Sequence, residues 1–322
     1  MTVFLVRRLA QAALVAVTAA TIAFFLMRLA PGDPFASTLE NPSVGPEVRE
    51  QWRAHFGLDR PVGEQYVRFM AGAVRGDLGP SIAQSRPAWS VIRDALPHTL
   101  LLMGTALTIA FAGGVLLGAW QAVHRDERAE KVSSGVTLVL YSMPELWLAL
   151  AMLLLFAVRL RWFPIGGAQD PLAWLLPPGE RLLDRLHHLV LPALVLALVH
   201  GAAIARFQRD ALVGVMNDVH LNAARSRGLS ERRVYYRHAL RAALSPVTTL
   251  LGLALPALLG GAVLVEQVFA WPGMGFVAIN AISQRDYFVV TGVVVVGGAM
   301  AALGSLVADL LQALVDPRVR ES

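Results

Sequence analysis

The chain has 322 residues, 56% of them hydrophobic and only 16% charged, a balance that excludes a pair of ordinary soluble domains. Lysine and arginine total 28 against 23 Asp and Glu, for a net charge of +5, and Lys131 is the single lysine. Cysteine is absent, which excludes disulfides, thiolate metal centres, iron–sulfur clusters and cysteine nucleophiles.

A bilayer core about 30 Å thick needs roughly 20 apolar residues of helix to cross it. Six runs of the chain meet that length: residues 9–27, 96–123, 132–158 (interrupted only by Glu145), 186–205, 242–265 and 287–308. Continuous apolar runs of this length imply helices and not a barrel. The first follows Arg7 and Arg8 and outlasts the apolar stretch of a cleaved leader, so it is predicted to remain as an anchor.

Residues 31–95 form a long segment between the first two spans. Within it Val48, Trp52 and Phe56 recur at i, i+4 and i+8, and Tyr66, Phe69 and Met70 share one side of a stretch over 62–74. Two short amphipathic helices are predicted, separated by Gly57 and Pro61. They fit either a membrane-surface location or an external docking surface.

Six spans place both termini on one side, and arginine decides which. With the N-terminus inside, the inner segments hold fifteen Lys and Arg; the outer ones hold six once the seven of the long segment are set aside. Both termini are therefore predicted to be cytoplasmic.

The inner segment 206–245 is patterned. Residues 217–227 read as a short helix with Arg225 and Arg227 in the last turn and Gly228 just beyond it. A second helix begins at Ser230, a good N-cap, with Glu231 in the first turn and Leu229 and Val234 placed as a hydrophobic staple. Gly228 supplies the positive φ that such a turn needs. This basic helix–turn–helix is tethered at both ends to membrane spans, which leaves no room for a nucleic-acid recognition domain. A solvated charged face and a protein-docking knuckle are the two remaining readings.

The same residues limit the chemistry. A phosphate-binding P-loop needs Lys followed by Ser or Thr, whereas Lys131 is followed by Val132, so any ATP hydrolysis falls to a separate subunit. Glu145, mid-span after Pro144, is costly in lipid and must face either a partner or an aqueous path. Glu266 opens the segment Trp271-Pro272-Gly273, for which capping of a helix and closing of an outer gate are both open. His98 and His200 have no second ligand at i+3 or i+4, and His187 and His188 point apart, so no metal site is predicted.

Several motifs stand in order along the chain: Arg28-Leu29-Ala30-Pro31-Gly32-Asp33-Pro34, Gly57-Leu58-Asp59-Arg60-Pro61, Arg75-Gly76-Asp77-Leu78-Gly79, Leu96-Pro97-His98-Thr99 and Ser142-Met143-Pro144. Leu191-Pro192-Ala193, Asn222-Ala223-Ala224-Arg225-Ser226-Arg227-Gly228, Glu266 through Gly275 and Arg285-Asp286-Tyr287 continue them. Together they closely resemble the permease subunits of binding-protein-dependent ABC importers, in the dipeptide, oligopeptide and nickel branch, specifically the first (B-type) permease. Asn222 stands where that family's loop has Glu, and Arg241 where many members have Pro.

The resemblance implies an all-α membrane protein of the type I ABC importer fold: an N-terminal anchor (1–30), an external segment (31–95), a five-helix core (96–315) and a cytoplasmic tail (316–322). It implies a bacterial inner-membrane location, a second homologous permease, two ATP-binding subunits that hold ATP and Mg, and an external substrate-binding protein. No cofactor and no nucleic acid are expected on this chain. Asn222, Ala223, Ala224, Gly228, Leu229 and Ser230 would couple to the ATPase. Glu145, Glu266 and Trp271 are the candidate pathway or gate residues, with Glu145 sensing a peptide amino terminus or pairing at the subunit interface. Peptide is the expected cargo; nickel is the alternative, and an intramembrane hydrolase is a distant one, since Ser142 and Ser305 have no base at a suitable spacing.

Overall fold

In lipid every backbone N–H and C=O must find its partner within the chain, and the apolar runs accordingly appear as long helices. The structure, a computed structural model, describes residues 2–29, 59–216, 221, 226–228, 230, 234–240, 243 and 262–315. The element order is α1 (Thr2–Leu29), α2 (Val62–Val74), a hairpin of β1 (Pro80–Ser81) and β2 (Arg86–Pro87), α3 (Ala88–Val123), α4 (Arg128–Ser142) and α5 (Glu145–Met152). After these come α6 (Pro178–Met216), α7 (Val263–Val268), α8 (Met274–Ser283) and α9 (Tyr287–Val315).

Among the described residues four helices, α1, α3, α6 and α9, are long and apolar enough to cross a membrane. The apolar run over 132–158, interrupted at Glu145, is bent at that point. It consists of two helices, Arg128–Ser142 and Glu145–Arg159, that together make one bent span and meet at an angle of 106°. Pro144, with φ −59° and ψ 132°, is extended and cannot continue α4, while its lack of an N–H suits it to precede α5. The run over 242–265 lies outside the described residues except for residue 243 and its last four, as do the helix expected around Val48 and the tail 316–322.

Helices α3 and α6 form the spine. They run parallel, and glycines let them touch: a Cβ on Gly114 would stand 2.8 Å from the Gly201 carbonyl oxygen, and one on Gly118 would overlap the Ala205 carbonyl. Pro97 in α3 and Pro192 in α6 lie inside these helices, and both helices continue past them. α4 is held to the spine by Arg209, whose Nε and Nη2 donate to Glu130 Oε1 at 3.0 and 2.9 Å, joined by the Ser134 hydroxyl at 2.7 Å.

The predicted helix over 62–74 is present with those bounds, and its aromatic side is covered by the chain itself. Phe69 stacks on Phe24 and Tyr66 on Phe25 of α1, and the Tyr66 hydroxyl shares a hydrogen bond of 2.8 Å with Thr21. On its exposed side a hydrogen bond from Arg60 holds the Glu64 carboxyl below the usual carboxylate range. The hairpin is fastened to α9 by Asp286, buried just before that helix, which accepts from the Ser81 hydroxyl and from the Ala83 N–H.

Candidate functional site

Two regions gather the residues singled out by the sequence. The first is the turn at Gly228. Gly228 has φ +76° with open space around its Cα, so the turn is one that a residue with a Cβ resists. Ser230 is exposed, and its carbonyl accepts from the Val234 N–H at 3.0 Å at the start of a π-helical turn, Val234–Ala239. Asn222, Ala223, Ala224 and Leu229 lie outside the described residues.

Beneath this turn is a small apolar core. Leu221, Val234, Ala239 and Ala243 are buried against Ala122 at the end of α3 and Leu212 near the end of α6. The Tyr235 hydroxyl donates to Met216 Sδ at 3.1 Å. The turn is thus seated on the C-terminal ends of α3 and α6.

The second region is at the opposite end of α3, where Glu266 and Trp271 come together. Glu266 is fully buried. Its Oε1 accepts from the Thr99 hydroxyl at 2.8 Å, and its Oε2 accepts from the Phe276 N–H at 3.0 Å in the first turn of α8. A carboxylate there satisfies a free helix N–H and meets the positive end of the helix dipole. Gly273 and Gly275 make room for it, since a Cβ on either would press on the carboxylate.

The Glu266 carbonyl accepts from the Trp271 N–H at 2.8 Å. The Trp271 indole Nε1 donates to the carbonyl of His98 at 2.9 Å, and the His98 ring meets the indole edge-on. Trp271 is 1% exposed and belongs to the main apolar core with Phe269, Leu102 and Leu191. Glu266 and Trp271 therefore form a closed clamp between α3 and the 266–276 segment.

Glu145 stands apart from the clamp. It is the first residue of α5, half-buried at the 106° bend, within electrostatic range of His200 on α6. Nearby, the Arg206 guanidinium lies 5.4 Å from the centre of the Tyr141 ring. A polar face of this kind at membrane depth is disfavoured against acyl chains and favours water or protein. His187 Nε2 is 2.7 Å from the Trp162 carbonyl, and His188 pairs with Asp184, so each has a separate partner. No group of His, Cys, Asp and Glu among the described residues is arranged to hold a metal ion.

Thr99, Asp286 and the Glu130–Arg209 pair were not legible as structural anchors. Asp286 carried a signal, a helix-capping residue directly before an apolar run, and Glu130 with Ser134 has the i, i+4 spacing of a helical pair.

Residues 114–321 match the family described as binding-protein-dependent transport system inner membrane component, and residues 1–103 match the N-terminal region of such membrane components. The oligopeptide transport system permease protein AppB of Bacillus subtilis is 34% identical over 323 residues, covering 99% of each chain. The di/tripeptide transport system permease protein DppB of Pseudomonas aeruginosa is 37% identical over 312 residues, 93% of each chain. The dipeptide permease DppB of Escherichia coli K12 is 33% identical over 333 residues, 98% of each. Among solved structures, an inward-facing form of the MetNI methionine ABC transporter has a chain that superposes with a TM-score of 0.52 at 16% identity. The match covers 70% of this chain and 96% of that one, a likeness of fold.

Proposed function

The chain belongs to the family of binding-protein-dependent transport system inner membrane components, and from that membership we propose that it is one permease subunit of an ATP-driven importer of short peptides. The observation that carries the cargo is similarity along almost the whole chain to permeases of dipeptide, tripeptide and oligopeptide transport systems. It is a multi-pass inner-membrane transport subunit and not itself an enzyme. The termini lie in the cytoplasm, as the arginine distribution favours.

ATP and Mg are held by two separate ATP-binding subunits, consistent with a lone lysine that is followed by valine. A second homologous permease completes the pathway, and an external binding protein delivers the peptide. Asn222, Ala223, Ala224, Gly228, Leu229 and Ser230 dock the ATPase, and motion enters through the apolar seat of the knuckle on α3 and α6. From Ala122 to Thr99, α3 carries that motion about 35 Å to the Glu266–Trp271 clamp, at 1.5 Å per residue. The clamp guards the outer end of the pathway, and the pair of permeases rocks between outward and inward states.

Glu145 faces the pathway and receives the ammonium group of the peptide. Uptake of a labelled dipeptide into vesicles holding the whole complex tests this. Glu145→Gln should raise the KM for peptides with a free amino terminus and leave N-acetylated ones unaffected. Equal uptake of both by the variant and the parent would remove the role of Glu145 and leave the peptide assignment standing. No peptide-stimulated ATP hydrolysis by the parent complex would remove the peptide assignment itself.

A further inference from the structure

The loop between the bent span and α6 is tied down by hydrogen bonds, yet it presents its apolar side chains outward. A 3₁₀ turn, Ala173–Leu175, buries Ala173 and exposes Leu172, Trp174 and Leu175 at 61%, 68% and 62%. One guanidinium fixes this tip: Arg181 Nε donates to the Ala173 carbonyl at 3.1 Å, and its Nη2 donates to those of Trp174 and Leu176 at 2.9 and 3.2 Å. The Asp170 N–H donates to Asp184, and Arg185 donates to Gln169, so the loop is stitched to the first turns of α6. The ordered backbone holds three large apolar groups away from the core, and the arrangement gains free energy only where something removes them from water.

The length of α6 identifies that environment. Its 39 residues rise about 58 Å, almost twice the hydrocarbon thickness. The charge-free run 186–205 fills the hydrocarbon, which leaves 178–185 and the attached tip at headgroup depth. Leu183 and Leu186 are exposed at i and i+3, continuing the apolar surface from the tip onto the flank of the span. Arg159 and Arg161, exposed where the bent span ends, have no carboxylate partner among the described residues, and lipid phosphates complement them. Tryptophan is favoured at this depth because its ring is apolar while its N–H is polar.

We infer that the 172–175 tip is an interfacial anchor, seated among phospholipid headgroups on the side of the bilayer where α3 and α6 begin. It fixes the height of α6 in the membrane against the motion applied at its other end. The partner is the lipid surface, and a protein covering the same tip is the competing outcome.

The cysteine-free sequence makes the test direct. Trp174→Cys and, separately, Leu175→Cys are spin-labelled in the whole complex, with cysteines of the partner subunits replaced. The complex is held in nanodiscs of phosphatidylethanolamine and phosphatidylglycerol. Both labels should collide several-fold more with oxygen, relative to a water-soluble nickel chelate, than a label at Gln169→Cys, and match lipids labelled near the headgroup. A ratio equal to that at Gln169→Cys would overturn the inference. Protection from both reagents, with or without the binding protein, would overturn it in favour of a protein partner.

Discussion

Thr99 and Glu266 lie 167 residues apart in the chain and share a buried hydrogen bond of 2.8 Å, while the same Thr99 oxygen accepts the Met274 N–H at 2.7 Å. One hydroxyl thereby ties α3 to both the carboxylate and the start of α8. The bond orders the clamp because both groups are removed from water, so a partner lost here is not replaced by solvent.

Thr99→Val keeps the shape of the side chain and removes both bonds. The expected cost is about 1–3 kcal/mol, the penalty for buried polar groups left without partners. The melting temperature of the purified complex should fall, and Thr99→Ser should recover most of the loss. An unchanged melting temperature for Thr99→Val would show that the clamp does not depend on this hydroxyl.

Glycine substitutions should separate into two groups according to what a Cβ would meet. Gly275→Ala would place a carbon 2.9 Å from Glu266 Oε2, which is buried, and 2.7 Å from the Val263 Cα. Gly104 and Gly113 on α3 have nothing within 4 Å. Gly275→Ala should therefore sharply reduce folded protein in membranes. Gly104→Ala and Gly113→Ala should be neutral or slightly stabilising, as alanine is the better helix former by about 1 kcal/mol. Fluorescence-detected size-exclusion profiles of the three variants give the comparison.

The Glu130–Arg209 pair is asymmetric, with side-chain exposures of 4% and 27%. Arg209→Ala should destabilise the contact between α4 and α6 by about 1–3 kcal/mol, since it removes charge-assisted hydrogen bonds from a largely covered carboxylate that keeps only Ser134. Replacing both residues with leucine should restore much of that, because the uncompensated charge is gone. Thermal denaturation of the single and double variants tests whether the effect is one of charge or of lost packing.

Gly228→Val should assemble and hydrolyse ATP without driving uptake. The positive φ of +76° strains any residue with a Cβ and most strongly a β-branched one. Gly228→Ala meets no neighbouring atom and should lose only part of the coupling. The ratio of peptide taken up to ATP consumed in vesicles reports this, and an unchanged ratio in Gly228→Val would dissociate the turn from coupling.

Local pattern carried several of these features. Hydropathy located α1, α3, α6 and α9, although α3 starts at Ala88 and α6 at Pro178, each eight residues ahead of its apolar run, because charged residues outside the hydrocarbon still extend a helix. The period of Tyr66, Phe69 and Met70 marked α2, and a glycine after a basic turn marked the positive φ at 228. These depend on neighbours within a few residues, which is the range over which composition and spacing act.

The 106° bend was hidden because Met143 and Pro144 leave the apolar run nearly unbroken, and hydropathy is blind to direction. Whether Glu266 caps a helix, and whether Asp286 grips Ser81 across 205 residues, rests on which elements pack together. Which segments leave water and where the chain turns follow from hydropathy and local spacing. Which buried polar groups satisfy one another depends on packing, since a hydrogen bond is formed by proximity in space and those partners are brought near only by helices far apart in the chain.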